Sequence, residues 1–164
     1  MRRLLLLTAM ILCLPGCASV ISRDSLSLVD RRASFAELKG NPDQYLGKYF
    51  LLGGGIAAVR NTNEGGEIEV VQFKTDDQGK ITDTVNTEGR FLAKSRGFID
   101  PAVYKAGLLV TIVGAVEGKE RMRLGEIDYT YPVLSIREMH LWKPEEVSAQ
   151  PGFTFGIGIG TIIH

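Results

Sequence analysis

Glu67-Ile68-Glu69-Val70-Val71-Gln72-Phe73 broadly alternates polar and apolar side chains, the period of two that places one face of a strand on a core and the other in water. Upstream, residues 48–59 are apolar, with β-branched and aromatic members and a Gly53-Gly54-Gly55 interruption, which predicts a long strand bent at the glycines. The polar stretch 61–66 between them predicts a turn, so the two strands form a hairpin, and Asp76-Asp77-Gln78-Gly79 predicts the next turn. Further on, residues 89–93 read as a short strand, Asp100-Pro101 as a turn or helix start, and 108–116 as a buried strand rich in Val and Ile. Residues 118–123 are expected to turn the chain, and 131–141 to form a strand ending near Trp142 and Pro144. Before the first strand, Ser34 with Glu37 three residues later is a capping-box pattern for a short helix stopped by Asn41-Pro42. Five or more short strands with Gly-rich turns and one or two short helices predict a mostly β domain, a small antiparallel OB-like barrel, with a β-sandwich as the alternative.

The two ends of the chain obey different rules. Arg2 and Arg3, the apolar run 4–14 and small Gly16 before Cys17 have the order of a secretory signal. The run is shorter than the roughly 18 to 20 apolar residues that a spanning helix needs. Leu14-Pro15-Gly16-Cys17 looks like the bacterial lipobox, although Pro15 stands where Ala or Ser is usual. That resemblance implies cleavage before Cys17, residues 1–16 being the signal peptide, and a covalent lipid on Cys17 as the membrane anchor. Two or three acyl chains hold a protein on a bilayer nearly permanently, at about 0.8 kcal/mol per buried CH₂. Ala18 is not the Asp that retains such proteins in the inner membrane of enteric bacteria, which favours the outer membrane. At the other end, residues 144–164 read as a linker and a tail in which Phe153, Phe155, Ile157 and Ile159 alternate with Thr154, Gly156, Gly158 and Gly160. In a strand this gives one apolar face and one flat face without charge, suited to the protein's own sheet, a membrane, another envelope protein or a second copy of the chain through residues 152–164.

Removing the first 16 of 164 residues leaves 148, enough for one domain with a core. Residues 17–33 are expected to be the lipidated cysteine and a polar tether, and 34–143 the domain. Without Arg2 and Arg3, 17 of the 19 basic residues remain against 19 acidic ones, mixed along the chain, a pattern that disfavours nucleic acid as a partner. Cys13 falls in the signal and Cys17 takes the lipid, so the mature domain is expected to have no disulfide and no thiol. Only His140 and His164 remain as imidazoles, and neither a metal nor another cofactor is expected.

With those residues in view, the chain resembles the Slp family of outer-membrane lipoproteins over residues 35–142. The blocks that carry the resemblance are Gly47-Lys48 with Gly53-Gly54-Gly55-Ile56, Asn61, Ile68-Glu69-Val70-Val71-Gln72, Gly89-Arg90-Phe91, and Gly97-Phe98-Ile99-Asp100-Pro101 with Tyr104. It continues through Thr111-Ile112-Val113-Gly114, Gly125-Glu126, Tyr129-Thr130-Tyr131-Pro132-Val133 and Leu141-Trp142. The resemblance implies an envelope location, lipid-anchored at the periplasmic face of the outer membrane, and no established activity.

No catalytic pattern accompanies it. Gly53-Gly54-Gly55 lacks the Gly-Lys-Ser/Thr of a phosphate loop, there is no Gly-x-Ser-x-Gly elbow, and His140 reads as a structural hydrogen-bonder. Glu67, Glu69, Glu126 and Asp128 read as a solvent face, not as paired acid and base. Tyr129, Tyr131 and Trp142 are the candidates for stacking a small glycan or lipid fragment, provided they share one concave face. The expected function is a non-catalytic lipoprotein with a structural or assembly role, the alternative a binding module.

Overall fold

Gly54 lies opposite Gln72 on one side of its strand and opposite Val110 on the other, and the fold is built around this double pairing. The computed structural model describes residues 19–144 and Glu146; Cys17 and the tail 152–164 lie outside them. Strand β1 (Tyr49–Thr62) folds back onto β2 (Gly65–Thr75) through Asn63-Glu64, inside the turn expected there. The remaining strands are β3 (Ile81–Asp83), β4 (Arg90–Ser95), β5 (Leu109–Leu124) and β6 (Ile127–Leu141).

Pairing runs β1-β5-β6-β4-β2 and returns from β2 to β1, so five strands close into a ring while β3 extends the far end of β2. Every pairing in the ring is antiparallel except β4 with β6, which run parallel over Leu92↔Val133 to Lys94↔Ser135. A closed five-stranded ring with a crossover is the OB-like architecture expected. The sandwich alternative drops out, because the same strands pair all the way round and leave no second sheet. The wholly antiparallel reading is corrected at β4–β6: β5 intervenes in sequence between those strands and supplies the long connection that parallel neighbours require.

Glycine is required where β1 is shared. A Cβ on Gly54 would stand 2.0 Å from the Val71 carbonyl oxygen, and one on Gly53 2.5 Å from Thr75 Cγ2. Inside the ring Phe50, Leu52, Ile56, Ile68, Val70, Phe91, Ala93, Val110, Ile112, Val116 and Leu134 form the main core. Helix α2 (Phe35–Gly40) adds Phe35 and Leu38, with the Phe35 ring edge-on to Phe91 at 6.1 Å. Its capping box forms as the sequence predicts, Ser34 Oγ accepting from the Glu37 amide and the Glu37 carboxylate from the Ser34 amide, and Asn41 ends it.

Two further expectations change. Residues 118–123 do not turn the chain: β5 continues to Leu124, and the reversal is the two-residue turn Gly125-Glu126. Gly118, at φ +133°, instead relieves a bulge where the register slips between Val116 and Gly118, a second use of a glycine inside a strand pattern. The short strand β3 follows a turn fixed by Asp76, whose carboxylate accepts from the Gln78 and Lys80 amides.

The tether expected from Ala18 to about Arg32 is docked from Val20 onward. Ser22 caps helix α1 (Arg23–Ser27), Ile21 and Leu26 are buried against Val113, and Val29 bridges to Tyr49. The Glu138 carboxylate also accepts from the Ser22 amide at 2.8 Å and the Ser22 hydroxyl at 2.6 Å. The few apolar residues scattered through that polar segment are the ones that meet the sheet. Replacing Ile21, which is 1% exposed, by Ala should lower stability by about 2–4 kcal/mol in urea unfolding, whereas a free tether would register no change.

Candidate functional site

Residues that alternate with the core along β2 and β4 face outward, and this outer surface carries a connected set of ion pairs. Leu92, Tyr131 and Val133 form a small buried cluster there, with Met122 and Tyr129 packed against it. Charged groups surround it in fixed pairs. Arg60 donates to Glu67 Oε1 at 2.6 Å; Lys94 lies 3.5 Å from Glu67 Oε2 and donates to Glu120 Oε2 at 2.8 Å. Arg90 donates to Glu69 Oε1 at 2.7 Å, and the Tyr131 hydroxyl donates to the same oxygen at 3.0 Å. The pairs are cross-strand neighbours, Arg60 opposite Glu67 and Glu67 opposite Lys94, so the sheet register positions them. The glutamates hold the Arg60 and Lys94 cations above their ordinary values, chiefly through these hydrogen bonds.

A depression of about 310 Å³ opens beside this network. Arg60, Thr62, Glu67, Lys94, Ser95 and Met122 are among its lining residues. It lies between the β1–β2 turn and the β5–β6 hairpin, beside the strand face and loops with which OB folds take oligosaccharides and oligonucleotides.

The three aromatic candidates do not assemble. Tyr129 and Tyr131 are neighbours on β6, ring centroids 4.6 Å apart, and the Tyr129 hydroxyl accepts from the Arg90 amide at 2.9 Å. Trp142 is elsewhere, buried with Ile81 and Leu109, its indole donating to Thr111 Oγ1 at 2.9 Å. Tyr131 and Trp142 sit eleven residues apart along one extended run, roughly 35 Å of chain. Burial of Tyr131 and Trp142 makes them packing residues and removes the stacking platform.

The remaining candidates are also placed. Glu67 and Glu69 are clamped by cations, and the carboxylates of Glu126 and Asp128, exposed near the hairpin tip, make no hydrogen bond or ion pair among the described residues, so the four form no acid–base pair. His140, expected to be a structural hydrogen-bonder, holds its buried Nε2 3.4 Å from Glu146 Oε2, and its ring stands edge-on to Trp142 at 5.0 Å. Among the described residues there is no group of acids and imidazoles able to hold a metal, and no helix long and apolar enough to cross a membrane. Sequence reasoning missed Arg60, Lys94 and Glu120. The signal was present for Arg60, which lies as far before the Asn63-Glu64 turn as Glu67 lies after it.

Compared with known proteins, the chain matches the family described as outer membrane lipoprotein Slp over residues 14–156. This chain belongs to the outer membrane lipoprotein Slp family. Among Slp relatives, Outer membrane protein Slp of Escherichia coli K12 is 27% identical over 118 residues, 72% of this chain and 62% of that protein's length. The uncharacterized lipoprotein YeaY of the same organism is 27% identical over 131 residues, 80% of this chain and 67% of YeaY. The S. cerevisiae mitochondrial single-stranded DNA binding protein Rim1 covers 58% of the chain and 94% of its own at 14% identity and TM-score 0.37, a likeness too loose to carry an argument.

Within this Slp-family ring, Tyr131 offers a titration readout. Burial first, then the hydrogen bond and charge of Glu69, pushes its phenol up to about 12 from an ordinary 10.0. Because the folded value is the higher one, the stability that the neutral phenol contributes is complete below pH 10 and is lost as pH rises from 10 to about 12. Its size is about 2–3 kcal/mol. Tyr131→Phe should remove this alkaline loss and delete one late step from the tyrosinate absorbance titration. An unchanged late step would place the perturbed phenol elsewhere.

Proposed function

We propose that the chain is a non-catalytic lipoprotein of the cell envelope, held by lipid on Cys17 at the periplasmic face of the outer membrane, with a structural or assembly role. The single observation that carries this reading is the family match beginning at residue 14, which takes in Leu14-Pro15-Gly16-Cys17 together with the ring. The outer surface supports the non-catalytic part: Glu67, Glu69 and Glu120 are held in ion pairs with Arg60, Arg90 and Lys94. The uncharged run 153–163 adds a surface for a membrane, an envelope protein or a second copy of the chain. Cys17→Ser should abolish incorporation of a labelled fatty acid and release the protein from the membrane fraction; equal labelling and retention would overturn the reading.

The depression between the β1–β2 turn and the β5–β6 hairpin favours a second role, binding of a small envelope glycan. Its Thr62 and Ser95 hydroxyls and charged rim offer both donors and acceptors over the Met122 thioether. Titrating the ring with soluble peptidoglycan fragments should shift the amide resonances of Gly65, Ser95 and Met122 and leave those of Thr111 and Trp142 in place. Shifts spread evenly over the ring, or none, would remove this role.

A further inference from the structure

We infer that one side of the ring, the base formed on the outer face of β5 by Ser19, Val20, the 76–79 turn, Thr111 and Trp142, is the surface held against the lipid bilayer, with the tip of the β5–β6 hairpin and the polar depression pointing away from it. The inference rests on the reading of Cys17 as the lipid-bearing residue and adds the geometry that follows.

The base is one connected unit. Ser19 donates from its hydroxyl to the Gln78 carbonyl at 3.3 Å, and Val20 packs with Ile81, Leu109 and Trp142. Thr111 Oγ1 donates to the Gly79 carbonyl at 2.7 Å and accepts from the Trp142 indole at 2.9 Å. The Trp142 amide in turn donates to the Leu109 carbonyl at 2.9 Å. The segment that follows Cys17 is thus fixed to the ring from Val20, and Ile21 behind it is 1% exposed.

Chain length does the rest. From Cys17 to Val20 there are three residue steps, which reach about 11 Å when fully extended. Acyl chains on Cys17 therefore leave the base no room to move far from the headgroups. The hairpin tip is remote along the chain: from Val110 to Leu124, β5 runs fourteen residues before the exposed Gly125-Glu126 turn. The other end of the chain agrees. It leaves the ring at Trp142, in the same cluster as Val20. The depression is lined by Arg60, Lys94, Glu120 and Met122, none of which belongs to the base. The bilayer that holds the lipid thus occupies the base and leaves the polar face open to the aqueous space.

The test uses the mature full chain in phosphatidylethanolamine–phosphatidylglycerol vesicles that contain a headgroup-spin-labelled lipid. A fluorophore is placed on Gln78→Cys in one preparation and on Glu126→Cys in another, both positions being exposed. Mass spectrometry of the N-terminal peptide reports acylation independently. Severalfold stronger quenching at position 78 than at 126 is the expected result. Equal quenching, or stronger quenching at 126, on a chain acylated at Cys17 overturns the orientation and leaves the anchoring intact. An N-terminal peptide without acyl chains on protein that is still membrane-bound overturns both. A flexible spacer of about twelve residues after Ala18 should bring the two signals closer together. An undiminished difference in that variant overturns the claim that the short link sets the orientation.

Discussion

The close approach of three backbones at Gly53-Gly54-Gly55 is the constraint on which the rest of the structure depends. β1 gives its amides and carbonyls to β2 on one edge and to β5 on the other across the same residues. No side chain fits between Gly54 and the Val71 carbonyl, so closure is possible only with hydrogen as the substituent there. Once β1 is shared, the order of the other strands follows. β4 and β6 have one free edge each and meet in parallel, and the interior they enclose is filled by the apolar half of every alternating strand. The ring leaves β3 as the short end of the sheet, three residues long, the kind of edge least open to unwanted pairing.

The outer surface is organised by the same register. Glu67 and Glu69 face away from the core because Ile68 and Val70 face into it, and their cations arrive from neighbouring strands, Arg60 and Lys94 directly opposite Glu67 and Arg90 on the diagonal from Glu69. Exposed ion pairs of this kind are worth about 0–1 kcal/mol each. Glu69 differs in being shared: its Oε1 serves both Arg90 and the buried Tyr131 hydroxyl, linking a surface charge to the Leu92–Val133 cluster. This part of the surface is held in one arrangement, a better basis for recognition than for proton transfer.

Much of the ring was legible in the sequence because its signals are local. The alternation over 67–73, the capping box at Ser34 and Glu37 and the turn residues at 76–79 each report on a few neighbours, and each appears in the structure where expected. What escaped depends on distant partners. Residues 19–32 look like a tether until Val113, more than eighty positions later, is brought against Ile21 and Leu26. Gly118 carries the same letter whether it ends a strand or bulges it, and its partner strand decides. The aromatic trio failed on arithmetic the sequence already held, since eleven extended residues separate Tyr131 from Trp142. The lining of the depression brings four strands together, and only the Arg60–Glu67 pair within it has a hairpin signature.

The parallel contact between β4 and β6 has a kinetic consequence. The β1–β2 and β5–β6 hairpins join near neighbours through two-residue turns and form early, on the order of 1–10 μs as isolated hairpins do. Leu92 and Val133 are 41 positions apart, and Tyr49 and Ala115 are 66, so joining the halves carries the entropy of long loops and comes last. Until then the chain is two hairpins with open edges and no enclosed core. On the proposed envelope location this delay is useful: late circularisation lets the chain pass through a translocation pore as an unclosed thread, and completes the ring where the protein is to stay.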